Sequence, residues 1–243
     1  MVKLTGVSKK FKDAGLYDIN AFFPEKSVCT IIGRSGAGKS LLLRTILGLI
    51  RPDSGSVLIG GTDIYKVKYK QLKEVRSKFG VLFQNNALLD SMNVFENVSL
   101  PVVYRNPEMR YNDVRNLVKE KLKMAYLDDV TDKYINQLSG GMQKRVAIAR
   151  ALITDPEILF YDEPITGLDP LTADGIIDLI KNLYLTLKKT TIIITHDIRG
   201  FIDFTDYIML IDSGETLFCG TKEDFMSFDH KIAKAYIKMA GRL

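Results

Sequence analysis

The sequence predicts an α/β fold with a mainly parallel core sheet, an antiparallel β subdomain at its start and an inserted helical subdomain. Three observations lead there. Short apolar runs at 28–32, 158–161, 191–195 and 207–211 alternate with helical stretches and end in polar residues. That is the pattern of parallel strands joined by helices, with a site at their carboxyl edge. A glycine-rich octet, Gly33-Arg34-Ser35-Gly36-Ala37-Gly38-Lys39-Ser40, sits between one such strand and a helix. Residues 85–156 then change character, with apolar residues at irregular helical spacing among many Lys, Asp and Asn. The 243 residues suit one large domain. Residues 1–84 and 157–243 form its core, and 85–156 its helical subdomain.

In order, residues 2–11 and 16–23 read as an antiparallel pair joined by a turn through Asp13-Ala14-Gly15. A charged turn at Glu25-Lys26 precedes the buried strand at 28–32. The apolar residues 41–47 form a helix that opens at the octet. Arg51-Pro52-Asp53-Ser54-Gly55 and Gly60-Gly61 are turns on either side of a strand at 56–59. Residues 69–78 look helical, and the strand at 79–83 ends on Gln84. Beyond the helical subdomain come the strand at 158–161, a helix at 171–187, a strand at 191–195 ending in His196, and a strand at 207–211. A hairpin turn through Asp212-Ser213-Gly214-Glu215 leads into 216–219, and a helical tail closes the chain. His230, outside any motif, reads as surface.

Composition excludes several classes. Hydrophobic residues make up 46% and charged residues 26%, an ordinary globular balance. The N-terminus lacks the apolar h-region of a secretory signal, and no apolar run is long enough to span a bilayer. Cys29 and Cys219 are isolated, without metal-ligand spacing, which fits a reducing, cytoplasmic compartment. The net charge of +5 comes from dispersed lysines rather than a basic block, so it describes a solvated surface more than a nucleic-acid site.

The octet fits the G-x-x-x-x-G-K-[ST] phosphate-binding pattern. Its glycines let the backbone N–H groups curl around an anion, and the helix N-terminus adds partial positive charge. Lys39 reaches the terminal phosphates and the Ser40 hydroxyl suits Mg²⁺. Phe11, at a strand end, either stacks on a base or packs in the core. Asp162, at the end of the run Ile158-Leu159-Phe160-Tyr161-Asp162-Glu163, suits an outer-shell Mg²⁺ ligand, and Glu163 is placed to polarise an attacking water. Leu138-Ser139-Gly140-Gly141-Met142 is a second glycine turn before a second good helix. One nucleotide does not need two cradles in one chain; two chains arranged head to tail use both.

These parts together resemble the ATP-binding cassette (ABC) ATPases along essentially the whole chain. The order is Phe11, the octet at 33–40, Gln84, the signature at 138–142, the acidic strand at 158–163, Thr166-Gly167-Leu168-Asp169, and His196. The resemblance implies a P-loop NTPase that hydrolyses ATP to ADP and phosphate with Mg²⁺. Phe11, the octet, Gln84, Ser139, Gly140 and Gly141 then bind ATP, and Ser40, Gln84 and Asp162 hold the metal. Lys39, Glu163 and His196 are catalytic; Ser139, Gly141 and Asp169 lie at a homodimer interface. Gln84 also senses a transmembrane partner.

Met142 departs from the usual glutamine. The form Leu-Ser-Gly-Gly-Met, the segment 82–98 and Leu168-Asp169-Pro170-Leu171-Thr172 resemble ATPases of Mla/Mce-type phospholipid transporters. That implies an integral membrane permease, a lipid-binding Mce-type component and a place on the inner face of the membrane. Leu88, Leu89, Met92 and Phe95 either contact the permease or merely pack the helical subdomain. An importer of amino acids or other small solutes would use the same catalytic residues. A non-transport ABC ATPase acting on nucleic acid would carry a long coiled-coil arm or a second cassette, and neither is in this sequence; no nucleic-acid partner is expected.

Overall fold

The computed structural model describes residues 1–12 and 14–241, so the turn expected at Asp13 lies partly outside the described residues. In chain order the elements are β1 (Val2–Lys10), β2 (Gly15–Phe23), β3 (Val28–Ile32), α1 (Lys39–Ile46), β4 (Ser54–Ile59), β5 (Thr62–Asp63), α2 (Tyr69–Arg76) and β6 (Phe79–Leu82). Next come α3 (Val94–Arg105), α4 (Tyr111–Met124), α5 (Gly140–Leu152), β7 (Ile158–Asp162) and α6 (Pro170–Leu187). The last are β8 (Thr190–Thr195), β9 (Tyr207–Asp212), β10 (Glu215–Thr221), α7 (Lys222–Met226) and α8 (Lys231–Met239). They group into two compact units, Met1–Arg76 with Lys189–Leu243, and Ser77–Lys188.

The first unit contains an antiparallel sheet in the order β2-β1-β4-β5. Val2, Leu4 and Val7 are buried with Leu16, Ile19, Phe23, Val57 and Ile59, while Lys3 and Thr5 face solvent. This alternation is that of a sheet with one wet face. Gly60-Gly61 proves to be a hairpin that returns as β5, a strand of two residues and too short to show a period. In the second sheet of this unit, β3 pairs in parallel with both β8 and β9, and β10 runs antiparallel on β9. All residues of β3 and β8 are buried, which is why both are continuous apolar and β-branched runs. The polar Thr30 is accommodated by Thr205, hydroxyl to hydroxyl at 2.7 Å.

Helices from the chain's end cover this sheet: Phe225, Ala233, Tyr236 and Ile237 pack with Ile32, Ile208 and Leu210. The tail is two helices rather than one. His230 caps the second, its Nδ1 accepting the Ile232 N–H at 3.3 Å, and its ring stacks on Phe228, so it is more than a surface residue. Cys29 on β3 is fully buried, and burial pushes its thiol up to about 12, while Cys219 on β10 is half-buried.

In the second unit β6 and β7 pair in parallel, and the expected helical stretch lies wholly within this unit alongside β6, β7 and α6. A Cβ on Gly80 of β6 would lie 2.3 Å from the Ala151 carbonyl oxygen, so glycine there lets the end of α5 touch the strand. The stretch from 85 is mostly helical as expected, but its first residues, 85–93, are not. α3 begins only at Val94, behind an Asn93–Glu96 capping box. Among the described residues no helix is long and apolar enough to cross a membrane.

Every residue of β7 is buried, and the hydroxyl of Tyr161 has no hydrogen-bond partner among the described residues. A buried hydroxyl without a partner forfeits its hydration, at a cost of about 1–3 kcal/mol. Tyr161→Phe is therefore expected to raise stability by about 1 kcal/mol. The check is chemical denaturation, and a midpoint at or below that of the parent protein would contradict it.

Candidate functional site

The octet leaves β3 through Gly33, where a Cβ would lie 2.3 Å from the Ile211 carbonyl oxygen of β9. Only glycine permits this backbone contact, which seats the loop directly on the sheet. Arg34, Ser35 and Gly36 are exposed; Gly36 has φ +80° and open space where a Cβ would stand. Gly38, at φ +101°, begins α1 without a side-chain cap, so the amides of the first turn have no competing side-chain acceptor. Ala37 is buried and its carbonyl accepts the Gly214 N–H at 3.0 Å, tying the loop to the hairpin between β9 and β10.

Lys39 is buried, and its ammonium donates to the carbonyls of Gly33 and Arg34 at 2.8 and 3.1 Å. The loop is thus folded around a cation. Ser40 comes next on the first turn of α1, half-buried. Phe11 is 52% exposed with the Lys9 ammonium 5.5 Å from its ring, which disposes of the core alternative. His196 stands exposed at the end of β8. Beyond it, burial opposes the charge of Asp197, but the Arg199 guanidinium outweighs burial and holds that carboxyl below its usual range.

In the second unit, Gln84 is exposed and its carbonyl accepts from the buried Lys144 ammonium at 3.2 Å. Burial lowers the Lys144 pKa, and the nearby Asp162 carboxylate counters part of that shift. Asn86 and Ala87 both hold left-handed backbone, at φ 58° and 51°. Such backbone costs an ordinary L-residue about 1–2 kcal/mol, which asparagine tolerates and alanine does not. Arg150 clasps this pair, donating to the carbonyls of Asn86 and Ala87 at 2.5 and 2.6 Å. Asn97, fully buried, pins the stretch from Leu89 to Asn93: its amide donates to the carbonyls of Leu89, Met92 and Asn93 and accepts the Leu89 N–H. Sequence reasoning missed Asn97, Lys144 and Arg150. Their partners are backbone carbonyls, which leave no trace in residue type.

Asp162 ends β7, and Glu163 is the next residue, buried and with left-handed backbone at φ 48°. A strained non-glycine residue at a strand end is a frequent mark of a working site. Thr166 donates to the Glu163 carboxylate at 3.1 Å.

Ser139 is the exposed N-cap of α5, its hydroxyl accepting the Met142 N–H at 3.3 Å. The capping reading and the anion-binding reading of this serine are compatible, because both use the same open helix end. The two glycines after it differ. A Cβ on Gly141 would lie 2.5 Å from Thr172 Cγ2, whereas one on Gly140 would meet nothing nearer than Leu168 at 3.7 Å. Asp169 caps α6 by accepting the Thr172 N–H at 3.1 Å, so Thr172 joins the signature turn to the Asp169 turn. Hydrogen bonding by the Thr172 side chain, and then by its N–H, holds the Asp169 carboxyl below its usual range.

Of the expected permease contacts, Leu89 is exposed, Leu88 and Met92 are half-buried, and Phe95 packs its ring 5.5 Å from Tyr111. In the same unit a cavity of about 320 Å³ is lined by Phe79, Phe83, Ala87, Leu100, Arg105 and Arg150 among others. None of the four named residues lines it.

The donors proposed for a metal are a hydroxyl (Ser40), a carboxamide (Gln84) and a carboxylate (Asp162). All three offer hard oxygen, with neither thiolate nor imidazole, and this chemistry fits Mg²⁺. The uncapped α1 N-terminus and the open space at Gly36 likewise fit a phosphate chain.

The profile of the family described as ABC transporter matches residues 16–166. The chain is 33% identical over 237 residues to the probable ribonucleotide transport ATP-binding protein mkl of Mycobacterium leprae, spanning 97% of this chain and 68% of that one. It is 37% identical over 243 residues to the methionine import ATP-binding protein MetN 1 of Burkholderia orbicola, spanning 98% and 70%. Among solved structures it resembles the dimeric ABC transporter cassette MJ0796 at TM-score 0.82 and 34% identity, covering 91% of this chain and 99% of that one. The same cassette in a post-hydrolysis state with ADP and Pi is 35% identical, also at TM-score 0.82, with the same coverage.

Gly141→Ala is expected to lower stability by about 1–3 kcal/mol through overpacking against Thr172. Gly140→Ala should be neutral or gain up to about 1 kcal/mol from helix propensity. Paired thermal unfolding curves check this, and equal losses in the two variants would refute it.

Proposed function

Because the chain belongs to the ABC transporter family and is an ATP-hydrolysing cassette using ATP and Mg²⁺, we propose that it dimerises around two Mg·ATP and powers a separate phospholipid permease. The observation that carries the reading is the pair of helix N-termini, one behind Gly38 and one behind Ser139, each exposed through a glycine that the chain's own packing leaves open. Gly140 has room for a Cβ, so the requirement for glycine there comes from what binds, while Gly36 has open space beside a φ of +80° that already favours glycine.

In this reading Lys39 exchanges its carbonyl partners for the terminal phosphates, and the loop amides hold the rest of the chain of phosphates. Ser40, Asp162 and Gln84 hold Mg²⁺, which supplies positive charge to the phosphoryl oxygens. Phe11 stacks on the base. Glu163, fixed by its strained backbone and by Thr166, accepts a hydrogen bond from the attacking water and orients it in line. His196 contacts the γ-phosphate. Ser139, Gly140 and Gly141 of a second copy close over the same nucleotide, with Asp169 beside them at the interface. Positioning and electrostatics do most of the work.

The coupling site is the cavity beside Ala87 and Arg105, which takes a short segment of the permease on the cytoplasmic face of the membrane. Leu88, Leu89, Met92 and Phe95 follow its lining residue Ala87 in the chain and are further permease contacts in this reading, and residues 85–156 act as the subdomain that carries them. Met142 and the segment 82–98 support phospholipid, with an Mce-type lipid-binding component as the further partner. The relatives named for methionine import favour a second reading, a small-solute importer with the same ATPase chemistry.

Glu163→Gln is expected to cut turnover at least about 10²-fold while preserving ATP-bound dimers, because it removes the group that orients water. Native turnover in that variant sinks the assignment. Lys39→Ala should weaken ATP binding itself, read by titration with a fluorescent ATP analogue; unchanged affinity contradicts its role. For the substrate, the tagged protein is recovered with its membrane partners in mild detergent and the bound lipids identified by mass spectrometry. A permease arriving with phospholipid and an Mce-type protein supports the lipid reading. A permease arriving with a solute-binding protein and no enriched lipid supports the importer.

A further inference from the structure

Arg150 belongs to two features at once. It lines the 320 Å³ cavity together with Ala87, and its guanidinium donates to the carbonyls of both Asn86 and Ala87. Lys144, on the same helix, donates to the carbonyl of Gln84. We propose that Arg150, assisted by Lys144, is a positioning residue that links the cavity's occupant and the signature helix to the placement of Gln84. The inference rests on the reading of that cavity as the permease site.

Four observations support it. The helix that carries Arg150 is α5, which begins at the signature serine, Ser139, so one rigid rod runs from the signature turn to the loop after β6. Lys144 and Arg150 are six residues apart, about 9 Å along the helix axis, and grip the start of the loop at Gln84 and at Asn86-Ala87. Lys144 is buried and Arg150 half-buried, so each charge is withdrawn from water and offset there by loop carbonyls. The gripped residues include Ala87, whose left-handed backbone needs outside support.

Arg150 fits this role through its planar fork, which matches two adjacent carbonyls as one unit. A segment seated against Ala87 and Arg150 bears directly on that fork. Movement of the segment is then passed to Asn86 and Ala87, and through two peptide units to Gln84. Rotation of α5 moves the same loop from the other side.

The test uses Arg150→Lys, which keeps the charge and loses the fork, and the double variant Arg150→Lys/Ala87→Gly. Amide hydrogen exchange and steady-state ATPase kinetics are measured on the full chain. Arg150→Lys should raise exchange in 84–89 about tenfold over the parent, with the rest of 77–188 unchanged. kcat should fall about tenfold while the KM for ATP stays within about twofold, because Gln84 is displaced rather than the nucleotide loop. Glycine at 87 holds left-handed backbone unaided, so the double variant should regain kcat and local protection.

Unchanged exchange and kcat in Arg150→Lys would overturn the proposal. So would exchange rising evenly across 77–188 with a lower unfolding midpoint, or no recovery in the double variant, since each makes Arg150 a packing residue only. The assay needs no permease. Failure to recover a permease in the membrane experiment would therefore count against the docking reading and leave the Arg150–loop linkage standing on its own result.

Discussion

The contact of Gly33 with the Ile211 carbonyl governs the first unit. With no Cβ between them, the phosphate loop rests directly on β9, and from that seat Lys39 reaches back to the Gly33 and Arg34 carbonyls. The same strand continues into the hairpin whose Gly214 N–H holds Ala37. Backbone therefore meets backbone on both sides of the loop. Such contacts have no rotamers to exchange, and the loop inherits the stiffness of a strand buried on both faces.

The second unit is organised by α5. Its N-terminus carries the signature turn, wedged against Thr172 at Gly141. Its middle and end supply Lys144 and Arg150 to the loop after β6, and its last residues touch Gly80. A helix in that position is loaded along its whole length. It packs its core face with Val146, Ala147, Ile148 and Ala149, all fully buried. The small alanines allow close approach and the β-branched residues fill what remains.

Much of this was legible because it depends on local chemistry. A phosphate cradle needs glycine and lysine at set offsets, and a strand buried on both faces needs an unbroken apolar run; β3, β7 and β8 could be read directly. The loop at 84–93 could not. Leu88, Leu89 and Met92 have spacing compatible with a helix, yet the backbone groups there are satisfied by Asn97 and Arg150 instead. Arg150 meets its carbonyls across 63 and 64 positions of sequence, and since any residue has a carbonyl, no pattern marks the partner. β5 escaped for a different reason, since two residues cannot display alternation.

The two thiols differ in a way that matters for probing the molecule. Cys29 lies on the central strand, fully buried, with its thiol pushed up to about 12. Alkylating reagents and thiol-directed spin labels are attacked by thiolate, which Cys29 hardly forms at neutral pH. Cys219, half-buried on β10, is the thiol that such reagents can meet first. Replacing that one side chain prepares a background in which cysteines placed at will report distances during turnover, and the buried sulfur can stay where the sheet needs its volume.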